Sequence, residues 1–301
     1  MSAASLPHEQ GTASFELEGG PGRRALRRLR ENRAAMAGVW ALLLIHVACF
    51  VIPALFGLDA ETTYPSLHLS GPSAEAWLGR DALGRDYLAR VLVGGQTSLL
   101  VGVAATIASV TIGVLYGMIA GYYGGVLDEA MMRLVDFLYG LPYMFIVILI
   151  MLLFSETARG EPLPVFIALG LVQWLTMARI VRGETRSLRE REFVLAARSI
   201  GASDPRILLR HILPNLAGVI SVYATLTVPA VIILESILSF LGLGVALSWG
   251  QLASEGVDIL NPIQSYWWLL AGPSFFLGVT LFSLNFFGDG LRDAFDPRGE
   301  S

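Results

Sequence analysis

Of 301 residues, 54% are hydrophobic and 15% charged, the net charge is −4 and the mean hydropathy is +0.61. That balance is too apolar for one soluble core and predicts an all-α polytopic membrane protein. All 21 basic residues are arginine, which excludes a G-x-x-x-x-G-K-[ST] phosphate loop, a Schiff-base lysine and a Ser-Lys dyad; if the protein runs on ATP, another chain must hydrolyse it.

In chain order, residues 1–33 are polar, end in an arginine-rich run and show no small-residue cleavage site, so they read as a cytoplasmic tail rather than a secretory signal. The run RRALRRLRENR suggests nucleic acid or an anionic lipid surface, but beside a span it reads as a topology signal, and no nucleic-acid partner is expected. A bilayer core of roughly 30 Å needs about 20 apolar residues of helix, because lipid cannot satisfy free backbone groups. Leaving 236–254 aside, six long apolar stretches lack Asp, Glu and Arg: 34–58, 91–127, 137–155, 162–178, 212–234 and 259–288. They predict six transmembrane helices. The second is longer than a span requires, so its start, VLVGGQTSLL, is expected along the membrane surface, and Tyr122-Tyr123-Gly124-Gly125 is expected to end it. Residues 236–254 are apolar, but Gly242, Gly244 and Gly250 predict a broken or re-entrant segment instead of a seventh crossing.

The resulting organisation is a cytoplasmic tail over 1–33, a first span over 34–58, an extracytoplasmic loop with a surface helix over 59–97, a five-helix core over 98–290 and a cytoplasmic tail over 291–301. With the N-terminus inside, only Arg80, Arg85, Arg90 and Arg159 fall outside and the other seventeen arginines fall inside, which favours this orientation, with both termini cytoplasmic.

The orientation puts REREFVLAARSIGASDPRILLRHILPN, residues 189–215, in the cytoplasm. At 100° per residue Phe193, Ala196, Ala197 and Ile200 share a helical face with Val194 at its edge, and Arg191, Glu192, Arg198 and Ser199 lie around the other side. Gly201 permits a reversal, Ala202 follows, Ser203 or Asp204 can cap a second helix, and Pro205 fits its first turn. Alone, the pattern fits either an interfacial hairpin joining two spans or a small-faced element that docks in a groove of a cytoplasmic partner.

LAARSIGASDPRILLRHILPN resembles the EAA loop of ABC importer permeases: Glu-Ala-Ala, three residues, Gly, nine residues, Ile-x-Leu-Pro. Ala196, Ala197, Gly201, Leu213 and Pro214 match, whereas His211 replaces the isoleucine and Leu195 the glutamate. Leu195 falls on the polar face, where it removes the family's carboxylate, and Glu192 one turn earlier is a candidate partial replacement. RENRAAMAGVWALLLIHV, GYYGGVLDEAMMRLVDFLYGLP, WLTMARIVRGETRSLREREF, ESILSFLGLG and NFFGDGLRDAFDPR extend the resemblance from about residue 30 onward, closest to the OppC-type oligopeptide permeases.

The resemblance implies a type I ABC importer permease fold in a bacterial inner membrane. It also implies a homologous permease partner, two cytoplasmic ATPase subunits that hold ATP and Mg, and an extracytoplasmic peptide-binding protein. The coupling loop would span 183–211, and this chain would hold no cofactor. Rival readings are the same role for a non-peptide solute such as a metal chelate, or a secondary transporter or channel. The last two would bury several coupling carboxylates, and the sequence offers one, Glu235, a candidate for the gate or pathway or for capping backbone at the glycine-rich break. His8, His46, His68 and His211 make no metal-ligand spacing. Where relatives carry Gly-Thr-Asp, this chain has Gly79-Arg80-Asp81.

Overall fold

The computed structural model describes residues 21–154, 161–260 and 265–295. Among them the elements are α1 Pro21–Glu31, α2 Arg33–Phe56, α3 Tyr87–Tyr123, α4 Gly125–Gly140, α5 Tyr143–Phe154, α6 Pro162–Leu188, α7 Glu192–Ser199, α8 Asp204–Phe240, α9 Trp249–Asp258 and α10 Trp267–Phe295. Five of these, α2, α3, α6, α8 and α10, are long and apolar enough to cross a bilayer, and the pair α4 and α5 makes a sixth candidate bent by 85°. The six expected spans thus appear as five helices and one broken pair. Residues 1–20, 155–160, 261–264 and 296–301 lie outside the described residues, and with them part of each expected tail, the end of the third expected span and part of the start of the sixth.

Two sequence expectations need correction. The third span is not one helix from 137: residues 137–140 are the end of α4, Leu141 is extended (φ −87°, ψ 138°) and Pro142 precedes α5. Proline clashes with an α-helical residue before it, so Leu141 is pushed out of the helix and the chain turns. Nor is there a separate surface helix near 91–100. Asp86 accepts a hydrogen bond from Ala89 N at 2.9 Å and caps α3, which then runs unbroken to Tyr123. Its 37 residues extend about 55 Å at 1.5 Å each, well beyond the apolar thickness of a bilayer. Gly94 and Gly95 do not break it, because they admit Leu252 and Trp249 against its surface.

The expected end of α3 is where the structure puts it, with Gly124 at φ +67°. The most extensive packing in the molecule is α3 against α6. Its seam is Gly113, Gly117 and Gly121, four residues apart, where an added Cβ would meet Met177 Cβ at 2.6 Å, Ala178 O at 2.5 Å and Arg182 O at 2.5 Å. Small residues at this spacing let two membrane helices touch backbone to backbone. On the other side α10 packs along α2 and α8 fits between α3 and α10. Leu44, Leu55, Phe56, Leu149 and Leu153 face outward, as lipid-facing side chains should.

The stretch 236–254 makes no seventh crossing. α8 stops at Phe240, Gly242 takes φ +73°, and the N–H groups of Gly242 and Leu243 bond back to Ser239 O and Leu238 O, which closes the helix with a left-handed glycine. The chain then forms the short helix α9, capped by Ser248.

Candidate functional site

The hairpin at 189–207 is built on the ends of three long helices. α6 runs to Leu188, α7 follows one turn later, Gly201 reverses the chain at φ +83°, and α8 starts at Asp204. Val194 and Ala197 of α7 are buried with Ile207, Ile212 and Leu216 of α8, Val114, Met118 and Tyr122 of α3, and Met177 and Val181 of α6. The hairpin therefore shares a core with the ends of the spans.

That core divides the face expected from the sequence. Ala197, 40° from Phe193 in the direction of Val194, turns inward, while Phe193, Ala196 and Ile200 face outward, Ile200 with 86% exposure. Glu192, Gly201 and Ser203 are exposed as well, and Ala202 and Asp204 are half-buried. Ser203 occupies the cap position of α8 without making a side-chain cap bond. Asp204 is used differently: its Oδ1 accepts from the Tyr122 hydroxyl at 2.7 Å. The same hydroxyl accepts from Arg198 at 3.3 Å, and the Arg198 guanidinium stands 5.5 Å from the Tyr122 ring centre. Arg189 donates to the carbonyl oxygens of Gly121 and Tyr122 at 3.3 and 3.2 Å. The loop's charges thus clamp it to the end of α3.

Leu195, 48% exposed, lines a hollow of about 500 Å³ with Tyr122, Tyr123, Arg189, Glu190, Arg198 and Asp204. The carboxylates around it are Glu190 and Asp204; Glu192, the candidate replacement for the family's glutamate, is not among the lining residues. Tyr122→Phe removes the partner of both Asp204 and Arg198, at a cost of about 1 kcal/mol. Local opening of the hairpin should rise several-fold, read as faster tryptic cleavage after Arg198. An unchanged cleavage rate would rule out the clamp.

Sequence reading missed the contacts that brace this end of the bundle. Arg182 of α6 donates through Nε and a terminal nitrogen to the two oxygens of Asp128 on α4, both at 2.6 Å. Arg179 pairs with Asp136 at 2.7 Å and lies 3.9 Å over the Tyr139 ring, whose hydroxyl is 2.6 Å from Thr176 Oγ1. The G-x-x-x-G-x-x-x-G repeat at 113–121 was the available signal for the α3–α6 contact; nothing in one sequence pairs Asp128 with Arg182.

Glu235 is far from the hairpin in the chain and fully buried. Its Oε1 accepts from Ser239 at 2.6 Å and its Oε2 from Ser98 at 3.4 Å; Ser239 also accepts from Ser248, and Ser98 accepts from Trp249 N at 3.1 Å. The carboxyl joins α3, α8 and the break before α9, and lines no open surface of this chain. Arg80 also has a place. It donates to Gly84 O at 2.9 Å and stands 5.0 Å over the Tyr64 ring, beside Asp81, which accepts from Arg85 and the buried Arg90; Arg90 reaches Glu255 of α9 at 2.7 Å. This network ties the 59–86 loop to α3 and α9.

Residues 113–300 match the family described as binding-protein-dependent transport system inner membrane component, and residues 20–72 match the N-terminal TM domain of oligopeptide transport permease C. The chain is 46% identical to an oligopeptide transport system permease protein OppC of Haemophilus influenzae, covering 91% of this chain and 88% of the relative. It is 43% identical to the dipeptide transport system permease protein DppC of Bacillus subtilis, covering 91% and 85%. Its fold is similar to a chain of the inward-facing MetNI methionine ABC transporter, with a TM-score of 0.55 and 17% identity over 68% of this chain and 96% of that one. With the helices, the hairpin and these matches in agreement, the chain belongs to the binding-protein-dependent transport system inner membrane components.

Proposed function

We propose that this chain is the transmembrane subunit through which an ATP-driven importer takes up oligopeptides, paired with a homologous permease and supplied by an extracytoplasmic peptide-binding protein. Both termini and the hairpin lie in the cytoplasm, where two ATPase subunits hold ATP and Mg. One ATPase grips the hairpin through Phe193, Ala196 and Ile200, and its movement on nucleotide binding is passed to the spans. The observation that carries this reading is the division of α7: Val194 and Ala197 lock it into the core shared by α3, α6 and α8, while Ile200 stands 86% exposed. A small exposed apolar face on a rigid mount suits a docked lever. The peptide cargo is inferred from the identity to the two peptide permeases.

Ile200→Asp tests the docking. An exposed substitution changes stability by about 0.5 kcal/mol or less, whereas a carboxylate in an apolar groove is expected to lower ATPase recovery on purification, and peptide uptake, at least tenfold. If the unaltered chain never recovers an ATPase and uptake survives ATP depletion, the reading fails.

A further inference from the structure

The first helix is not used by the transport reading. α1 has the sequence PGRRALRRLRE, five arginines against one glutamate, and is followed after Asn32 by the first span, with Arg33 at its start. It packs against the last turns of α10: Ala25 is 5% exposed, and an added Cβ on Gly290 would lie 3.3 Å from Leu29. The C-terminal end of α10 and the N-terminal end of α2 meet here, so α1 is held where two spans leave the bilayer. At 100° per residue, Ala25, Leu29 and Asn32 form the packed side. Leu26, Arg27 and Arg30 are on the other and are exposed, Leu26 by 50%. With Glu31 they wall a surface hollow of about 270 Å³.

The chemistry of that hollow is specific. Arg27 Nε is 3.1 Å from Glu31, an exposed pair with solvent on both sides that is worth little; Arg30 and Arg33 have no carboxylate partner among the described residues. An exposed leucine between guanidinium groups presents an apolar contact and hydrogen-bond donors to one ligand. A phospholipid offers both, an acyl chain and a phosphate, and guanidinium binds phosphate through a planar fork. A nucleic acid offers phosphate but no acyl chain, and would have to approach at the level where the bilayer begins.

We propose that α1 is a binding site for anionic phospholipid headgroups. Arg27 and Arg30 hold the lipid phosphate, Leu26 rests against the acyl region, and Ala25 and Leu29 fix the helix to α10. A cluster of arginines at the end of a span gains attraction to an anionic leaflet with each residue, and the attraction is screened by salt.

The test uses the full chain in its purified complex, reconstituted in phosphatidylcholine with trace spin-labelled phosphatidylglycerol or spin-labelled phosphatidylcholine, and reads the protein-immobilised fraction of each label. The unaltered protein should prefer phosphatidylglycerol, and Arg27→Gln/Arg30→Gln should reduce that preference about tenfold. Arg27→Lys/Arg30→Lys should retain most of it, which separates charge from a folding defect. Arg206→Gln/Arg210→Gln, at the hairpin, should leave it unchanged. The proposal is overturned if the glutamine variant keeps its preference, if the hairpin variant alone loses it, or if inorganic phosphate or a short oligonucleotide at the same ionic strength abolishes it.

Discussion

Gly117→Ala is expected to destabilise the protein by about 3 kcal/mol, although it adds one methyl group. The new Cβ would lie 2.5 Å from Ala178 O, 2.9 Å from Arg182 N and 2.9 Å from Val181 Cβ. Two of the three atoms are backbone, which no rotamer change can move, so α3 and α6 must separate along their whole seam. Interiors packed to crystal-like density tolerate such a shift poorly. The control is Gly278→Ala, where no atom stands within 4 Å of the added Cβ; there alanine's helix propensity should stabilise by about 0.5 kcal/mol. Thermal unfolding in detergent compares the two, and equal melting temperatures would show that the glycine seam carries no packing energy. On the proposed function uptake should fall with stability, because the hairpin shares its core with the ends of α3 and α6.

The parts of this molecule that were readable from sequence depend on local chemistry. Charge-free runs locate spans because lipid tolerates neither charges nor unpaired backbone; Gly124 and Gly242 end helices because they take positive φ. Gly201 marks the hairpin for the same reason. What sequence did not reveal depends on partners distant in the chain. That Ala197 turns inward and Ile200 outward is decided by α3 and α8, which bury one edge of α7. The start of α3 looked like a surface segment because it is long and contains glycines, yet those glycines are where Trp249 and Leu252 approach. Glu235 is singular on hydropathy grounds and fits a gate, but only the fold brings Ser98, Ser239 and Ser248 around it. Leu195 was legible as a departure from the family pattern, whereas the arginines and tyrosines around it were legible only in three dimensions.

The brace between α4 and α6 leads to the second large effect. Asp128 retains 10% side-chain exposure and places both oxygens on Arg182, which is 32% exposed. Arg182→Leu leaves that carboxylate buried without its bidentate donor, a change that costs about 3 to 5 kcal/mol at a dry site. Here the solvent reaching Arg182 and the nearby charges of Arg186 and Arg189 reduce the cost to about 2 kcal/mol. Asp128→Leu alone strands a guanidinium that can reach water, so it should cost less. The double variant should recover about 1 kcal/mol relative to the sum of the two, because neither charge then remains without its partner. Unfolding midpoints of the four proteins in detergent measure that coupling. The functional consequence concerns α4 and the bend at Leu141-Pro142 that follows it. If Asp128–Arg182 holds α4 in step with α6, Arg182→Leu should retain the ATPase on purification and still lose uptake, whereas Ile200→Asp loses both. Strict additivity of the two leucine substitutions, or unaltered uptake in Arg182→Leu, would show that α4 does not depend on this pair for its position.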